Sequence, residues 1–582
     1  MRYMEKVSDR NSRFLAKEFQ RAMIPVMTAV LGGTINAIID SAFVTRRLDS
    51  NALSAVTYSM PVFLVLCMIG CLFGIGSSIL ASQAIGKHDE EAASRYFHSM
   101  LFASIVAGLI GSFIGVFFKA PVAQILCSDA SLLSQVEAYA GITLIGAPFY
   151  ILIYVPNYYL QLDGKGKILT SMMILMIITD ILLDYILLYV FDLGVAGASL
   201  ASVLSIAAAC IYGIIPLLHR GGMFRLKIGS IRPYDLLNIG RYGSVSAIGT
   251  LMSVLRLFLL NKIIYKAAGN SGMAMWSVIN ALAELSLCIL AGIPRTALPL
   301  LGICSSGRDN VGTRLIVKHE LRAGLYLSLV YVGLLIVLNV PIRNFYKIEG
   351  SLLLPLACLG ISVIPELCAS ILSSFYNVTG RSLMANIVML LRIFLFPVGT
   401  AFLLMVSGVQ IFLFLPLGMM LAALFSVIIA YFRSRRTKGS EHELSSVLLL
   451  DDYLERNGMI KGFSIESTDD NICKASEEIT EFCAEHEMDS KLAMKLGLSL
   501  EELMTVMVRK SSPKSDDPVD IRVYSSEGVF GICIMCFGDK YDPFESDDED
   551  DEMNMGIMMI KKLSKDHKYL YSMGMNILSV EF

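Results

Sequence analysis

The chain has 582 residues, of which 55% are hydrophobic and only 17% are charged, a composition too apolar for a soluble protein of this length. Its formal net charge of −3 gives no reason to expect a nucleic-acid partner. The apolar residues are concentrated between about 20 and 432, whereas 440–582 has the composition of a soluble domain. We therefore expect a membrane domain followed by a soluble domain.

The apolar region divides into stretches long enough to cross a bilayer, which takes about 20 residues in a helix. Twelve stretches qualify, and an even number places both termini on one side of the membrane. They are 21–44, 54–84, 97–118, 136–161, 168–190, 195–218, 240–264, 273–300, 319–340, 352–377, 383–407 and 410–432. The predicted fold class is an all-α polytopic membrane protein with twelve transmembrane helices in two six-helix lobes, followed by an α+β domain.

The same pattern predicts the domain boundaries. An N-terminal segment is followed by an N-lobe, a C-lobe, a linker and the α+β domain, at 1–20, 21–218, 219–432, 433–451 and 452–582. Lys and Arg are commoner in the loops on the side of the termini than in the opposite loops, and the last span exits into "RSRRTKG" at 433–439. Because cytoplasmic loops carry this excess, we expect both termini and the soluble domain to be cytoplasmic. The charged N-terminal segment has no pattern of a cleavable signal peptide.

The two predicted lobes share an internal repeat. The matched pairs are Gly33-Thr34 with Gly249-Thr250, Gly86-Lys87 with Gly307-Arg308, and Gly164 with Gly380, at offsets of 216, 221 and 216. Since each half holds an even number of spans, the repeats have one orientation, and their twofold axis runs along the membrane normal. This predicts a cleft between two lobes, as in transporters that rock around a central site.

Away from the span ends, three carboxylates lie inside predicted spans of the N-lobe. They are Asp40, Asp180 and Asp184, and no Lys or Arg lies at comparable depth. Asp180 and Asp184 are four residues apart and so share one helix face. A dry interior cannot hold three ionised carboxylates unless protons or a cation neutralise them, which predicts a proton or Na⁺ site. Asn36, one turn before Asp40, could add a carbonyl oxygen. The alternative is that Asp184 ends a helix near the interface and that Asp40 is a satisfied polar residue.

The C-lobe instead mixes charges of both signs within its spans, away from the span ends. These residues are Arg256, Glu284, Glu366 and Arg392, with Arg295 at uncertain depth. Opposite charges can pair with one another, so the simplest interpretation is structural ion pairs. Glu284 and Glu366 could instead meet a cationic substrate in the cleft.

Two segments of the membrane region resemble a known family. The segment "MIPVMTAVLGGTINAIIDSAFVTRRLDSNALSAV" at 23–56 resembles the opening of multidrug and toxic compound extrusion (MATE) transporters, with Pro25 and Asp40 in the family's proline and aspartate positions. The segment "TDILLDYILLYVFDLGVAGASLASVLS" at 179–205 resembles the family's fifth and sixth helices, with Asp184 in the acidic position. The resemblance covers about 12–432.

The resemblance implies a V-shaped antiporter in a bacterial inner or plasma membrane. Such a protein exports small organic, often cationic, compounds in exchange for H⁺ or Na⁺, with no required cofactor and no catalytic residue. The wider superfamily also contains flippases of lipid-linked precursors, which a strongly positive cleft built from Arg256, Arg295 and Arg392 would favour. A third possibility is a membrane sensor that signals through the soluble domain.

The soluble domain alternates helix and strand patterns. Helices are predicted at 475–488, 491–510 and 555–564, a hairpin at 519–538, and two further strands at 567–572 and 575–582. Cys533 and Cys536 form a CxxC pair, but no second pair lies nearby, so no metal site is expected. The order of elements, together with "SLEELMTVMV" and "FGDKYDPF", resembles the histidine-kinase-like ATPase domain of anti-sigma-factor kinases.

The nucleotide site implied by that resemblance is degenerate. Its positions in this chain are Glu502, Val506, Cys536, Gly538, Asp542 and Gly556. Val506 stands where an Asn would ligate Mg²⁺, and Cys536 stands where an Asp would bind adenine. We therefore expect doubtful ATP and Mg²⁺ binding, weak or no hydrolysis, and a regulatory role that involves a cytoplasmic protein partner.

Overall fold

The computed structural model describes most of the chain, as 13–47, 50–127, 132–218, 232–345, 351–436, 447–450, 459–485, 490–511, 513, 517–526, 529–545 and 552–582. Within these residues, ten helices are long and apolar enough to cross a membrane, or eleven if one pair bent by 53° counts as a single span. These eleven correspond to eleven of the twelve predicted spans. The predicted first span, 21–44, lies within the helix Arg13–Arg47.

In the part of the chain that the structure describes, the N-lobe has nine α-helical segments. They are α1 (Arg13–Arg47), α2 (Ser50–Gly86), α3 (Glu90–Phe117), α4 (Lys119–Leu126), α5 (Leu133–Ile145), α6 (Ala147–Leu152), α7 (Tyr154–Leu162), α8 (Gly166–Asp184) and α9 (Gly194–Leu218). The bent pair is α5 with α6 and α7. A π-helical turn, Tyr185–Val190, continues α8. Large apolar side chains on the outer face of α3 are exposed, as expected where a helix meets lipid rather than water.

The C-lobe begins with one long helical run that contains two predicted spans. Its segments are α10 (Pro233–Ser306), α11 (Asn310–Val337), α12 (Asn339–Phe345), α13 (Leu353–Val378), α14 (Ser382–Leu390), α15 (Phe396–Ser407) and α16 (Phe414–Arg436). The run α10 breaks at Gly269, whose φ of 63° and ψ of −156° are not helical. This break falls in the predicted loop between the spans 240–264 and 273–300. A π-helical turn, Leu391–Leu395, joins α14 to α15.

The repeat is visible in the turns that join the helices. Gly164 and Gly380, which are 216 residues apart, both have positive φ, of 71° and 79°. The turn between α2 and α3 and the turn between α10 and α11 also match, because His88 and Arg308 have φ of 55° and 52°. Their true offset is therefore 220, and the predicted match of Gly86-Lys87 with Gly307-Arg308 was wrong by one residue. The positive φ angles give the alignment of the two lobes at this turn. The pairs Gly86-Lys87 and Gly307-Arg308 give it only to within one residue.

The capping residues confirm the corrected register. Asp89 accepts a hydrogen bond from the backbone N–H of Ala92 at 2.8 Å, and Asp309 accepts one from Gly312 at 2.9 Å. Each aspartate therefore satisfies one of the free amides at the start of α3 or α11.

The two lobes are in close contact on the side where α2 and α10 end. A Cβ atom on Gly76 would collide with the carbonyl of Ile239, and one on Gly243 would collide with the carbonyl of Leu72. One on Gly302 would collide with Ser82. Only glycine permits backbones to approach this closely. We call this contact between α2 and α10 the lobe seam.

Polar contacts also join the lobes. The Gln161 amide donates to the carbonyl of Thr296 at 3.2 Å, and Gln83 donates to the carbonyl of Val378. Arg95 of α3 lies 3.6 Å from Asp235 of α10. The lobes are thus closed against each other on this side.

The described residues of the C-terminal domain form a five-stranded antiparallel sheet with three helices on one face. The elements are β1 (Met459–Glu466), α17 (Asp469–Glu485), α18 (Ser490–Ser511), β2 (Pro518–Ser526), β3 (Val529–Phe537), α19 (Glu552–Leu563), β4 (Asp566–Ser572) and β5 (Met575–Glu581). The strand order is β1-β2-β3-β5-β4. All predicted helices and strands of this domain are present, and β1 is an additional edge strand. Its central Gly462 weakens the strand signal of its sequence.

The second face of this sheet packs on the membrane domain. Alternate residues of a strand point to opposite faces. Ile532, Ile534 and Cys536 of β3 pack with the helices of the C-terminal domain, whereas Met535 and Phe537 belong to the core of the membrane domain. Leu570, Met575 and Ile577 of the neighbouring strands join them there. We call this second face, which the membrane domain covers and the helices of the C-terminal domain do not, the open face of the sheet. We call the side of the membrane domain that packs against it the docking side.

Candidate functional site

Two of the predicted N-lobe carboxylates, Asp180 and Asp184, lie on α8, near the end of this helix that is farther from the docking side. Asp180 and Asp184 are 0% and 1% exposed. They lie one turn apart on the same face, as their spacing predicts, so their side chains are neighbours. Ile178 and Leu182 on other faces of α8 are more than half exposed. The helix therefore turns both acids into the bundle and its aliphatic residues outward.

Most of the oxygens of these two acids have no hydrogen-bond partner among the residues whose side chains the structure describes. The Ser205 hydroxyl of α9 donates to Asp180 Oδ1 at 2.8 Å. Asp180 Oδ2 and both oxygens of Asp184 are buried without a partner. No ion pair to either acid is found in the described part of the chain. Three free acceptors close together can bind a proton or a cation.

The side chains of Asn36 and Asp40 lie outside the described residues, but the backbone of α1 gives their level. Helix α1 packs along α8, and a Cβ atom on Gly166 would lie 2.9 Å from Pro25 Cγ. Both helices run away from the docking side. At about 1.5 Å per residue, Asp40 lies about 22 Å beyond Pro25, and Asp180 lies about 21 Å beyond Gly166. The backbones of Asp40 and Asp180 are therefore at the same depth.

In the C-lobe, the charges of opposite sign pair. Arg392 Nη1 lies 3.4 Å from Glu366 Oε1, and each of these side chains is 14% exposed. Arg256 lies near Arg392 and lines a small cavity together with Glu366, Trp276 and other residues. The side chain of Glu284 lies outside the described residues. Glu366 is thus bonded to a guanidinium of its own lobe.

Arg295 lies apart from this group. Its guanidinium stacks on the ring of Tyr158 at 4.3 Å and donates to the carbonyl of Asn157 at 3.2 Å. Both partners belong to α7 of the N-lobe, so this arginine joins the lobes. Arg256, Arg295 and Arg392 do not form a single positive cluster.

One buried acid was missed by the sequence analysis. Glu320 of α11 is 0% exposed, and neither of its carboxylate oxygens has a hydrogen-bond partner in the described part of the chain. It stands in "KHELR", between Lys318 and Arg322, so the local charge pattern is typical of a solvated helix end. One helical turn before and after Glu320, the sequence has no residue with a hydroxyl or a basic side chain that could pair with it. This was the available signal for its burial.

In the C-terminal domain, α18 and α19 carry three of the six positions of the degenerate nucleotide site, Glu502, Val506 and Gly556. A Cβ atom on Gly556 of α19 would lie 2.7 Å from the Glu502 carboxyl of α18. Val506, one turn after Glu502, is fully buried in the core of the domain. An aliphatic side chain at this point offers no ligand to Mg²⁺, which requires oxygen.

Cys536 lies in a closed hydrogen-bond network at the end of β3. Its thiol lies against Ser511 and Asn576, and burial raises its pKa to about 12. The Asn576 amide donates to Ser511 Oγ at 3.1 Å and to the carbonyl of Asp539 at 3.0 Å, and Asn576 Oδ1 accepts from Tyr569 at 2.6 Å. These side chains therefore satisfy one another where an adenine would need a free carboxylate.

The turn after this network is held by its own backbone contacts. Gly538 has a φ of 130°, and a Cβ atom on it would collide with the carbonyl of Ser511. Asp542 accepts from the backbone N–H of Phe544 at 2.9 Å, and burial raises the pKa of this carboxyl. Asp542 thus stabilises the turn.

Comparison with known families agrees with this description. Residues 25–186 match the MatE family, and residues 465–582 match the histidine kinase-like ATPase domain. Multidrug export protein MepA of Staphylococcus saprophyticus is 25% identical over 301 residues, which is 51% of this chain and 65% of that protein. MepA of Staphylococcus aureus is 26% identical over 287 residues, or 49% of this chain and 63% of that protein. The match therefore spans under two thirds of each relative.

Solved structures resemble the membrane domain over its full extent. The outward-facing conformation of a multidrug resistance MATE family transporter of the MOP superfamily has a TM-score of 0.67 and 22% identity, covering 73% of this chain and 97% of that one. A MOP superfamily transporter from Pyrococcus furiosus, described as having a binding pocket of reverse polarity, has a TM-score of 0.66 and 19% identity over the same shares. The membrane domain of this chain therefore has the fold of these transporters. Its residues 25–186 are similar to the MatE family, and residues 465–582 are similar to the histidine kinase-like ATPase domain.

Proposed function

We propose that this protein is a secondary-active antiporter that exports small organic, mainly cationic, compounds in exchange for H⁺ or Na⁺. It would work in a bacterial cell membrane with both termini in the cytoplasm, so that the docking side is cytoplasmic. The observation that carries the proposal is the pair Asp180 and Asp184, which is buried in a membrane helix without a basic partner among the described side chains. Charged side chains at such positions usually mark an ion pathway.

Asp40 would complete the coupling site. Its backbone is level with Asp180 on a helix that packs against α8. Two neighbouring carboxylates in a medium of low polarity repel each other, so at least one needs a proton or a cation. Binding of the ion would neutralise the acids and let α1 and α8 repack, and loss of the ion would reverse this. Such a cycle can couple an ion gradient to the movement of the two lobes.

The charge of the C-lobe supports export of cations over the flipping of an anionic lipid-linked precursor. The arginine Arg392 is paired with Glu366, and Arg295 contacts the N-lobe, so the arginines do not converge on one positive cleft. A protein that binds an anionic lipid headgroup would need such a cleft.

The C-terminal domain would have a regulatory role without ATP hydrolysis. Val506 and Cys536 occupy the positions of the metal and adenine ligands, and the residues around Cys536 already satisfy one another. On this proposal neither Mg²⁺ nor ATP is required for transport, and a cytoplasmic protein would be its partner.

The test is uptake of cationic dyes into everted membrane vesicles that contain the full chain, under an imposed pH or Na⁺ gradient. We expect gradient-driven uptake, and we expect Asp40→Asn to abolish it at unchanged expression. The matched control is Asp192→Asn, the same substitution at an exposed loop position after α8. Full transport by the Asp40 variant would exclude a coupling role, and no uptake of any dye by the native chain would favour the flippase or the sensor.

A further inference from the structure

The C-terminal domain contacts both lobes of the membrane domain at once. On the N-lobe, the Ser572 hydroxyl and the Met573 backbone N–H donate to the carbonyl of Leu162, at 2.8 and 3.0 Å. On the C-lobe, the two terminal nitrogens of Arg522 donate to the carbonyls of Gly307 and Arg308, at 2.9 and 2.8 Å. One rigid sheet therefore joins the end of α7 to the end of α10.

These two attachment points lie on opposite sides of the lobe seam. Leu162 ends the fourth membrane span of the N-lobe, and Gly307 directly follows the eighth span in the C-lobe. If the lobes separated on this side, the distance between Leu162 and Gly307 would grow. The hydrogen-bonded strands β2, β3, β5 and β4 between Arg522 and Ser572 cannot extend to follow it.

The structure assigns to the C-terminal domain the role of a clamp that holds the lobes closed on the docking side and must release one lobe before this side opens. The inference rests on the proposed function, since it supposes that transport requires the lobes to separate there. It specifies how the domain regulates transport: it sets the population of the state that is open to the cytoplasm.

The attachment to the N-lobe is the more extensive of the two. Asp517 accepts from Lys17 at 2.8 Å and from Arg21 at 2.6 Å. Although burial opposes its ionisation, these two cations hold the pKa of Asp517 below its ordinary value. Phe14 of α1 stacks on Phe537 at 4.5 Å, and Arg21 lies over the same ring at 4.3 Å.

The segment before the domain also contacts the membrane domain. The Arg381 guanidinium donates to the carbonyl of Leu448 at 2.9 Å, and Tyr376 donates to the carbonyl of Val447. This tether starts from the C-lobe but does not involve the sheet.

Arg522 is therefore the point at which the sheet can release the C-lobe. Its guanidinium satisfies two carbonyls at the C-terminal end of α10, where the negative end of the helix dipole favours a cation. The side chain also lies over the Tyr524 ring at 5.3 Å. Among the described residues, the side chain of Arg522 thus makes the hydrogen bonds that join the sheet to the C-lobe.

Two native cysteines allow the inference to be tested without any substrate. Cys304 lies at the end of α10 and lines the cavity between the lobes and the sheet, so its alkylation reports release of the domain. Cys71 of α2 lies between Tyr154 of the N-lobe and Ser246 of the C-lobe, so its alkylation from the docking side reports opening of the seam. A membrane-impermeant maleimide is applied to everted vesicles, and mass spectrometry of peptides gives the rate at each cysteine.

We expect Arg522→Gln to raise the alkylation rate of both Cys304 and Cys71 by roughly tenfold, the size of a typical coupling between sites. Arg522→Lys keeps the charge but cannot bond both carbonyls in the same way, so it should give intermediate rates. The control is Arg509→Gln, because Arg509 pairs with Asp469 at 3.5 Å on the outer surface of the same domain. Its rates should equal those of the native chain.

An increase at Cys304 without one at Cys71 would overturn the clamp, since the domain would then detach while the lobes stayed closed. Unchanged rates at both cysteines in both Arg522 variants would overturn it as well. Because the labelling uses no substrate, coupled labelling of the two cysteines in a chain that transports no dye would reject the proposed transport function and leave the clamp intact.

Discussion

The two acids of α8 in the N-lobe and the acid Glu366 in the C-lobe are held in opposite ways. In the N-lobe, Asp180 and Asp184 have one hydroxyl partner between them and no cation among the described residues. In the C-lobe, Glu366 lies 3.4 Å from Arg392. The lobes share a repeat, in which the turns at Gly164 and Gly380 match, so the difference arises from side chains on similar scaffolds. In the proposed function the acids of α8 receive an exchangeable ion, whereas Glu366 is already paired with a cation of its own lobe.

The largest effect should come from removing the free acids. We expect the double variant Asp180→Asn, Asp184→Asn to lose gradient-driven dye uptake entirely, because neither amide can exchange a proton. Its thermal stability should not fall, since an amide is less costly to bury than a carboxylate and can still accept from Ser205. Dye uptake and the melting temperature of the purified protein measure both effects. Undiminished transport would place the coupling ion elsewhere.

The corresponding change in the C-lobe should act on stability. Glu366→Gln leaves Arg392 buried without its counter-charge, which we expect to lower the free energy of unfolding by about 3 kcal/mol. The double variant Glu366→Gln, Arg392→Gln should recover most of this loss, because no unpaired charge remains. Chemical denaturation in detergent measures the difference. Equal stability of the single variant and the native chain would show that the pair contributes nothing.

Glu18 provides a third arrangement, in which the acid lies at the docking surface with charges of both signs nearby. Burial raises its pKa to about 8, with Arg21 opposing and Asp517 adding to the shift, and Tyr571 also faces it. The docked state therefore binds a proton that the released state loses above about pH 4.5. The equilibrium constant for docking should be largest below that pH. It should fall as the pH rises towards about 8, by at most about tenfold per pH unit.

This prediction is measured as the ratio of Cys304 alkylation rates in the native chain and in Glu18→Gln. The glutamine keeps the neutral form at every pH, so the ratio isolates Glu18 from the intrinsic ionisation of the thiol and from His88. Burial and the nearby Lys568 lower the pKa of His88 to about 4, so it remains in both chains as a constant background. A ratio that does not change between pH 5 and 8 would contradict the assignment.

The smallest effect should come from Ser205→Ala, which removes the one hydrogen bond to Asp180 found among the described residues but leaves all the acids in place. A single hydrogen bond contributes about 1 kcal/mol, so dye uptake should fall by about fivefold or less. The control is Ser202→Ala on the same helix, whose hydroxyl bonds the Ala198 carbonyl of its own backbone. A complete loss of uptake would assign Ser205 a direct part in ion binding.

Sequence reasoning located the membrane spans and the free acids because both follow from simple requirements. Crossing a bilayer requires about 20 apolar residues, and a spacing of four places Asp180 and Asp184 on one helix face. The burial of Glu320 was missed because this residue lies between two basic residues. The alignment of the matching turns was wrong by one residue because a glycine followed by a basic residue does not reveal which position has the positive φ angle.

Docking of the C-terminal domain was also missed, although its sequence carried a sign of it. The strand "VFGICIMCF" is apolar at nearly every position, and such strands are covered on both faces. What covers the second face could not be predicted, because the bond from Arg522 to Gly307 joins residues 215 apart. Nothing local to Arg522 distinguishes it from an ordinary strand residue that faces solvent.

The open face of the sheet has a practical consequence for the C-terminal domain on its own. Met535, Phe537, Leu570, Met575 and Ile577 are each at most 7% exposed in the full chain. Cut away from the membrane domain, the domain would present these side chains to water as one contiguous apolar surface. Such a fragment should precipitate or self-associate when produced alone, and replacing Met535 and Ile577 by threonine should improve its solubility without touching the core that its helices form.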